Sequence, residues 1–197
     1  MSEFWNQKYG TPDYLYGVDP NAFIKEQLQD LQPGNILFPA EGEGRNAVYA
    51  AQLGWNVLAF DTSNEARKKA LKLADSKNIS LDFRLLDYQM AAFEPETFDA
   101  IGLVFTHLLP PLRSTMHQKY LEWLKPGGTI LLEAFTPEQL NYSSGGPKAL
   151  EMLFTREQLK ADFKGAKSIR IEEKIITLDE GPGHQGPASV IRCVVKK

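Results

Sequence analysis

Several features are scarce in this sequence of 197 residues, and each scarcity excludes a class of protein. Cys193 is the only cysteine, so neither a disulfide framework nor a cysteine-rich zinc site can form within one subunit, and we expect no metal. No apolar run reaches the roughly 18 residues of a membrane span, and the first residues lack the apolar stretch of a secretory signal. These absences predict a cytoplasmic protein without a membrane partner.

Neither sign of charge is in marked excess. Lys plus Arg number 22 against 25 Asp plus Glu, which gives no electrostatic basis for binding nucleic acid. A small-molecule substrate is the partner that this composition favours, and the oligomeric state is left open.

What the chain does contain is a regular alternation of strand-like and helix-like segments. Apolar residues recur at helical spacing in the connecting segments, and such alternation is typical of a parallel sheet covered by helices on both faces. The predicted strands are Asn35 to Pro39, Asn56 to Phe60, Leu81 to Leu86, Phe98 to Phe105 and Thr129 to Phe135, and the predicted helices are Asn46 to Leu53, Asn64 to Ser76, Arg113 to Leu124 and Thr155 to Phe163.

The C-terminal part predicts a hairpin. Two long β-like runs, Ser168 to Leu178 and Ala188 to Val195, are separated by a short turn rich in glycine and proline, which forces them to be antiparallel. We therefore predict an α/β fold, a Rossmann-like three-layer sandwich whose seven-stranded, mostly parallel sheet has an antiparallel last strand. Residues 1–197 are expected to form a single domain.

A glycine-rich loop follows the first strand, with Gly42 and Gly44 before a predicted helix. Such glycines let the backbone approach either a dinucleotide or S-adenosylmethionine (SAM). The acidic residues Glu41 and Glu43 would repel a pyrophosphate but attract the sulfonium and ammonium of SAM. Arg45 and Asn46, at the helix start, can meet the carboxylate of SAM. For Glu43, a solvated acidic turn is an equal alternative.

Further cofactor-binding candidates follow the next strands. Asp61 comes directly after the second strand, where a carboxylate can accept hydrogen bonds from ribose hydroxyls. Thr62 beside it begins a capping-box pattern with Glu65. Asp87 can accept the adenine amino hydrogen and Tyr88 can pack on the ring, although Asp87 also fits an Asx turn. Phe105, at the end of the fourth strand, is expected to line the cofactor pocket.

Taken together, these segments resemble the ordered motifs of class I SAM-dependent methyltransferases. The motifs are Glu41 to Ala47, Asp61, Leu86-Asp87, Phe98 to Ile101 and Leu124 to Gly128. Within that superfamily the aromatic N-terminal segment, His107 to Pro111 and Thr136 to Gln139 are similar to the tellurite-resistance and thiopurine methyltransferase-like branch. Phe38-Pro39 departs from the acidic residue that is more common in the first strand.

The resemblance implies an enzyme with SAM as cofactor and S-adenosylhomocysteine as product. It also implies that residues 1–33 fold over the cofactor, with Trp5 as an aromatic cover of its cationic end. Tyr16 is either a second cover or a residue that packs the N-terminal segment against the domain. A thiol or a metalloid anion is the acceptor that the resemblance suggests. Two alternatives remain open, a SAM-binding sensor without turnover and a nicotinamide-dependent oxidoreductase.

The acceptor side of the site has fewer sequence signals. His107 directly follows the fourth strand and is the first candidate for a general base. His184 lies in the turn between the last two strands, and Arg113, near a helix start, could steer an anionic substrate. His117 is expected to be structural. Residues 136–150 are predicted to be a flexible lid over the acceptor.

Overall fold

The computed structural model describes residues 2–197 and confirms the predicted order of elements. The helices are α1 (Ser2–Tyr9), α2 (Ala22–Gln29), α3 (Arg45–Gln52), α4 (Asn64–Ser76), α5 (Pro110–Trp123) and α6 (Arg156–Asp162). The strands are β1 (Asn35–Pro39), β2 (Asn56–Asp61), β3 (Asp82–Leu85), β4 (Phe98–Val104), β5 (Leu124–Phe135), β6 (Ser168–Asp179) and β7 (Gln185–Lys196). Short 3₁₀ turns cover Tyr88–Met90, Pro137–Asn141 and Leu150–Met152.

The strands form one seven-stranded sheet in the order β3-β2-β1-β4-β5-β7-β6. The pairs β1 with β2, β2 with β3 and β4 with β5 are parallel, whereas β7 runs antiparallel to both β5 and β6. The predicted Rossmann-like fold with an antiparallel last strand is therefore confirmed. Pro39 pairs with Phe60 and Asp61 with Leu85, which brings the carboxyl ends of β1, β2 and β3 to one edge of the sheet.

Local chemistry explains where the elements begin. Helix α4 starts as predicted because the Ser63 side chain accepts from the Ala66 amide, so Ser63 is the N-cap and the expected role of Thr62 in capping was wrong. Helix α5 begins at Pro110, earlier than predicted, because proline is favoured in a first helical turn. Strand β5 begins at Leu124 rather than Thr129.

The density of contacts divides the chain into two units. One runs from the N-terminal end to Ala92 and includes Glu180–Gly183, with β1 and β2 in its core. The other comprises Phe93–Asp179 and His184–Lys197, with β4, β5 and β7 in its core. Among residues 2–197, no helix has the length and apolar character needed to cross a membrane.

Candidate functional site

The glycine loop that follows β1 has an unusual backbone. Ala40, Gly42 and Gly44 all have positive φ, at 48°, 63° and 89°. A Cβ added to Gly44 would lie 2.6 Å from the Cβ of Ala70 on α4, closer than atoms can approach. Position 44 therefore requires glycine for both its conformation and its packing. Non-glycine residues in this region store strain and cluster at functional sites, as Ala40 does here.

Glu41 is buried at the start of α3. Its Oε1 accepts hydrogen bonds from the Asn46 and Ala47 amides, each at 2.8 Å, and thereby satisfies two free donors of the helix N-terminus. Burial raises the pKa of Glu41 to about 7, although these hydrogen bonds act in the opposite direction. The predicted cofactor-attracting carboxylate therefore also holds the loop in shape.

Asp61 links the end of β2 to the same loop. Its Oδ2 accepts from the Gly42 amide at 3.0 Å and its Oδ1 from the Ser63 amide at 2.9 Å. Burial raises the pKa of Asp61, and the backbone donors lower it. Each carboxylate oxygen has a second lone pair, so these bonds leave acceptor capacity. Thr62 lies in the sequence between Asp61 and Ser63 and is half-buried.

Glu43 is neither solvated nor directed at a cofactor. One of its oxygens accepts from the backbone amides of Leu15 and Tyr16, at 2.8 and 3.3 Å. The other pairs with Lys69 Nζ at 2.7 Å, and both side chains are largely buried. Glu43 therefore fastens residues 10–21, which we call the leader, to the glycine loop and to α4.

Arg45 and Asn46 also bind protein groups, which differs from the expected contacts of their side chains with the SAM carboxylate. Arg45 donates to the Tyr16 carbonyl at 3.0 Å and to Glu180 at 2.9 Å. The Oδ1 of Asn46 accepts from the Asn21 amide at 2.9 Å. These side chains hold the middle of the leader at Tyr16 and its C-terminal end at Asn21, because buried polar groups need hydrogen bonds.

Tyr9 is a site residue that the sequence analysis did not select. Trp5 stacks on it with ring centroids 5.4 Å apart, as residues separated by four positions on a helix can do. The Tyr9 hydroxyl lies over Gly42, where an added Cβ would be 2.8 Å away. Burial raises the pKa of Tyr9 well above its usual value, and Asp61, Tyr16, Glu43 and Glu41 raise it further.

The charges that act on Tyr9 indicate which cofactor fits the loop. The carboxylates of Asp61, Glu43 and Glu41 each raise the pKa of the Tyr9 phenol beside Gly42, so their combined field there favours a cation. A cationic sulfonium and ammonium suit this surrounding, whereas a pyrophosphate does not. The residues present therefore fit SAM. Among residues 2–197, no cluster of His, Cys, Asp and Glu could hold a metal ion.

The two candidates after β3 are arranged differently from each other. Asp87 is exposed, and its Oδ1 accepts from the Gln89 amide at 2.9 Å, which is the Asx turn considered as an alternative. Tyr88 is buried with its ring edge-on to Phe60, at a centroid distance of 5.7 Å. Tyr88 thus packs in the core, and its packing on the adenine ring stays a prediction.

In the second unit, an aromatic cluster forms after β4. Phe105 has a φ of 49°, which is strained for an aromatic residue. Its ring stacks on Phe135 at 4.5 Å and meets the His184 ring edge-on at 4.5 Å. His184 is also edge-on to Phe135, at 5.4 Å. We call Phe105, Phe135 and His184 the aromatic cluster.

His107 and Arg113 are both engaged with protein partners. His107 Nδ1 lies 2.7 Å from the Met152 carbonyl oxygen, and its Nε2 accepts from the Phe135 amide at 3.3 Å. Arg113 is buried and donates to Oδ2 of Asp162 at 2.7 Å. His117 contacts the same oxygen at 2.9 Å. Arg113 thus joins α5 to α6, which differs from its expected role in steering a substrate. His117 is structural, as expected.

The predicted lid is anchored rather than flexible. Buried Gln139 accepts from the Ser189 amide at 2.9 Å and donates to the Ser144 hydroxyl at 3.0 Å. The Ser144 hydroxyl donates to the Pro187 carbonyl. Gly146 packs on the Phe135 ring so closely that an added Cβ would lie 2.7 Å from it. The partners Pro187 and Ser189 belong to β7, more than 40 positions away in the sequence, so local polarity gave no sign of them.

Comparison with known proteins adds independent information. Residues 36–128 match the family model described as a methyltransferase domain. Over 110 residues the chain is 28% identical to phosphoethanolamine N-methyltransferase of Triticum aestivum, a match that covers 55% of this chain and 22% of that protein. The chain therefore spans about a fifth of the length of this curated relative.

Solved structures share the fold. A protein described for the conversion of a disulfide bond into a thioacetal group during echinomycin biosynthesis gives a TM-score of 0.82 at 16% identity, over 100% of this chain and 91% of that chain. TehB from Haemophilus influenzae gives a TM-score of 0.74 at 18% identity, over 100% of this chain and 66% of that chain. At these identities the likeness concerns the fold alone.

Proposed function

We propose that this chain, whose residues 36–128 match the model of a methyltransferase domain, is a SAM-dependent methyltransferase that transfers the methyl group of SAM to a small-molecule acceptor. The observation that carries the proposal is the negative surrounding of Gly42. Glu41 and Asp61 fix the loop through its backbone amides, and Tyr9 lies over Gly42, where a cationic ligand would approach the backbone.

In this proposal the protein mainly binds and orients. SAM, when bound, supplies a methyl group on a good leaving group, so alignment and exclusion of water account for most of the catalysis. Asp61 would accept from the ribose hydroxyls with its remaining lone pairs, and the glycine loop would approach the methionine portion. Trp5 would cover the cationic end with its aromatic face.

The first test is isothermal titration of the purified protein with SAM, S-adenosylhomocysteine and NAD. We expect binding of the adenosyl ligands and no heat from NAD. The variant Asp61→Asn should weaken SAM binding by about tenfold or more, the loss expected for buried hydrogen bonds. Asp82→Asn, which alters an exposed carboxylate paired with Arg84 on β3, is the matched control and should bind normally. NAD binding without SAM binding would refute the proposal.

For the acceptor, we propose a soft nucleophile, either a thiol or a metalloid anion. The support is the similarity of the chain's motifs to the tellurite-resistance branch and the fold shared with TehB. A thiolate is nucleophilic near neutral pH and needs little help from a base.

A second candidate acceptor is a phosphorylated amine, which the curated relative from wheat favours by its name. Turnover assays with simple thiols, selenite, tellurite and phosphoethanolamine, each followed by formation of S-adenosylhomocysteine, separate the two classes. Product formation with phosphoethanolamine alone would replace the soft nucleophile as acceptor. SAM binding without turnover on any acceptor would favour a sensor.

A further inference from the structure

The two hydrogen bonds of His107 define its tautomer. A carbonyl oxygen only accepts, so Nδ1, which lies 2.7 Å from the Met152 oxygen, must carry the proton. A backbone amide only donates, so Nε2, which faces the Phe135 amide at 3.3 Å, must be unprotonated. Both nitrogens of the neutral ring are thus in use, and neither lone pair nor proton is left for a substrate.

These bonds join two distant parts of the second unit. Phe135 is the last residue of β5, and Met152 ends the 3₁₀ turn Leu150–Met152. The intervening chain, residues 136–152, is here called the roof segment. His107 fixes the end of this segment, and Gln139 fixes its beginning through Ser189 and Ser144.

The roof segment covers the aromatic cluster. Gly146 lies directly on the Phe135 ring, and Phe135 contacts both Phe105 and His184. His107 itself stacks on Phe135 at a centroid distance of 5.6 Å, with its edge toward Phe154 at 5.3 Å. A shift of His107 would therefore move the roof segment relative to the cluster.

The electrostatic surroundings of His107 are those of a neutral side chain. Burial lowers its pKa to about 4, with a further decrease from the charge of His184. The ring is oriented by a neutral carbonyl, that of Met152. A catalytic base normally has a pKa near the working pH and is oriented by a third group such as a carboxylate.

We propose that His107 is a positioning residue, which clamps the roof segment over the aromatic cluster and so shapes the acceptor pocket without removing a proton from the acceptor. The acceptor is then a nucleophile that needs no base from His107, such as a thiolate. This inference rests on the proposed function, because it assigns the roof segment to the acceptor.

The test uses His107→Gln and His107→Asn in the full chain, since each amide can keep one of the two hydrogen bonds. We expect the KM for the acceptor to rise by about tenfold, the scale of one lost buried hydrogen bond, with kcat within about threefold of wild type. The pH profile of kcat/KM should keep its shape, and SAM affinity should not change. Gln139→Ala, which releases the other end of the segment, should likewise raise the KM for the acceptor and leave kcat nearly unchanged.

A second readout does not depend on turnover. Hydrogen exchange of the amides of residues 136–152 should become faster in the His107 variants, while exchange in β4 and β5 stays slow. His117→Gln is the control, because it removes a buried histidine that makes no hydrogen bond to the roof segment, and it should leave this exchange pattern and the acceptor KM unchanged.

The outcomes are distinguishable. A loss of kcat with an unchanged KM and a lost acidic limb of the pH profile would make His107 a base and overturn the inference. Unchanged exchange in the roof segment would also overturn it. If no acceptor is turned over while the exchange still responds to His107, the proposed function fails and the clamp stands as a structural finding.

Discussion

At the scale of single residues, buried carboxylates dominate the glycine loop. Glu41, Glu43 and Asp61 are all buried, and each accepts hydrogen bonds from backbone amides. A buried carboxylate is costly unless such donors compensate for lost hydration. Glu43 additionally has a cation, Lys69, whereas Glu41 depends mainly on amides. Burial raises the pKa of Glu41 to about 7, so this group can bind a proton near neutral pH.

Replacing Glu41 with glutamine should reveal this sensitivity. The pKa of Glu41 is about 7 in the folded protein, whereas its ordinary value, which applies to the unfolded chain, is 4.5. Between these two pH values the folded state therefore binds more protons than the unfolded state. Stability from this group is present below about pH 4.5 and is lost as the pH rises through about 7. In denaturant titrations at pH values between 4.5 and about 7, the free energy of unfolding of Glu41→Gln should decline less with pH than that of the wild type.

The same ionisation should affect the cofactor. In the wild type, SAM affinity should strengthen as the pH rises through about 7, because a carboxylate then faces a cationic ligand. In Glu41→Gln the affinity should be weaker and nearly independent of pH. Identical slopes in the two proteins, for unfolding and for binding, would show that Glu41 stays ionised throughout.

Gly44 offers a second prediction at this scale. Gly44→Ala should lower the free energy of unfolding by about 2 to 4 kcal/mol, the sum of positive-φ strain and overpacking against Ala70. Gly54→Ala is the matched control, since Gly54 has nearly the same φ, 91° against 89°, but open space around it. It should cost only about 1 to 2 kcal/mol. Equal losses in urea unfolding would mean that the contact with Ala70 relaxes freely.

At the scale of elements, the leader is attached to α3 and α4 through a few side chains. Lys69 on α4 donates both to Glu43 and to the Asp13 carbonyl. Its neighbour Lys68 only pairs with Glu65 on the exposed face of the same helix. Because successive residues of a helix point in different directions, these adjacent lysines have different surroundings and form a natural comparison.

Lys69→Met should therefore loosen the leader, whereas Lys68→Met should not. Removing the partner of buried Glu43 should cost about 3 kcal/mol of stability, against less than about 1 kcal/mol for the exposed pair. Limited proteolysis within residues 10–21 should become faster only in Lys69→Met. Equal protection of the leader in both variants would assign its attachment to Arg45 and Glu180 instead.

At the scale of the whole molecule, the sequence predicted the framework well. Strand β1 and helix α4 have the predicted bounds, because their apolar periodicity and flanking residues are local signals. The roles of polar side chains were harder to predict. Arg45 pairs with Glu180, which is 135 positions away, and His107 bonds to Met152, which is 45 positions away. No local sequence pattern predicts such pairings.

The same limit explains the roof segment. Its polar composition indicated a flexible loop, yet Gln139 and Ser144 are buried. Both are buried because Ser189 and Pro187 of β7 supply partners for them, and these partners lie more than 40 positions away in the sequence. The glycine loop was recognisable because its geometry requires a fixed residue type at fixed spacing, whereas an anchor can be built from many residues.

The tip of the last hairpin, Glu180–Gly183, has a consequence for the order of events during synthesis. Glu180 accepts from Asn21 and Arg45, and the Gly183 amide donates to the Leu15 carbonyl at 2.8 Å. The leader leaves the ribosome early, yet these anchors arrive only after residue 183 has been made. Such distant contacts close late. A nascent chain should therefore attach its leader only after the hairpin tip has left the ribosome, and until then the leader remains open to proteases and chaperones.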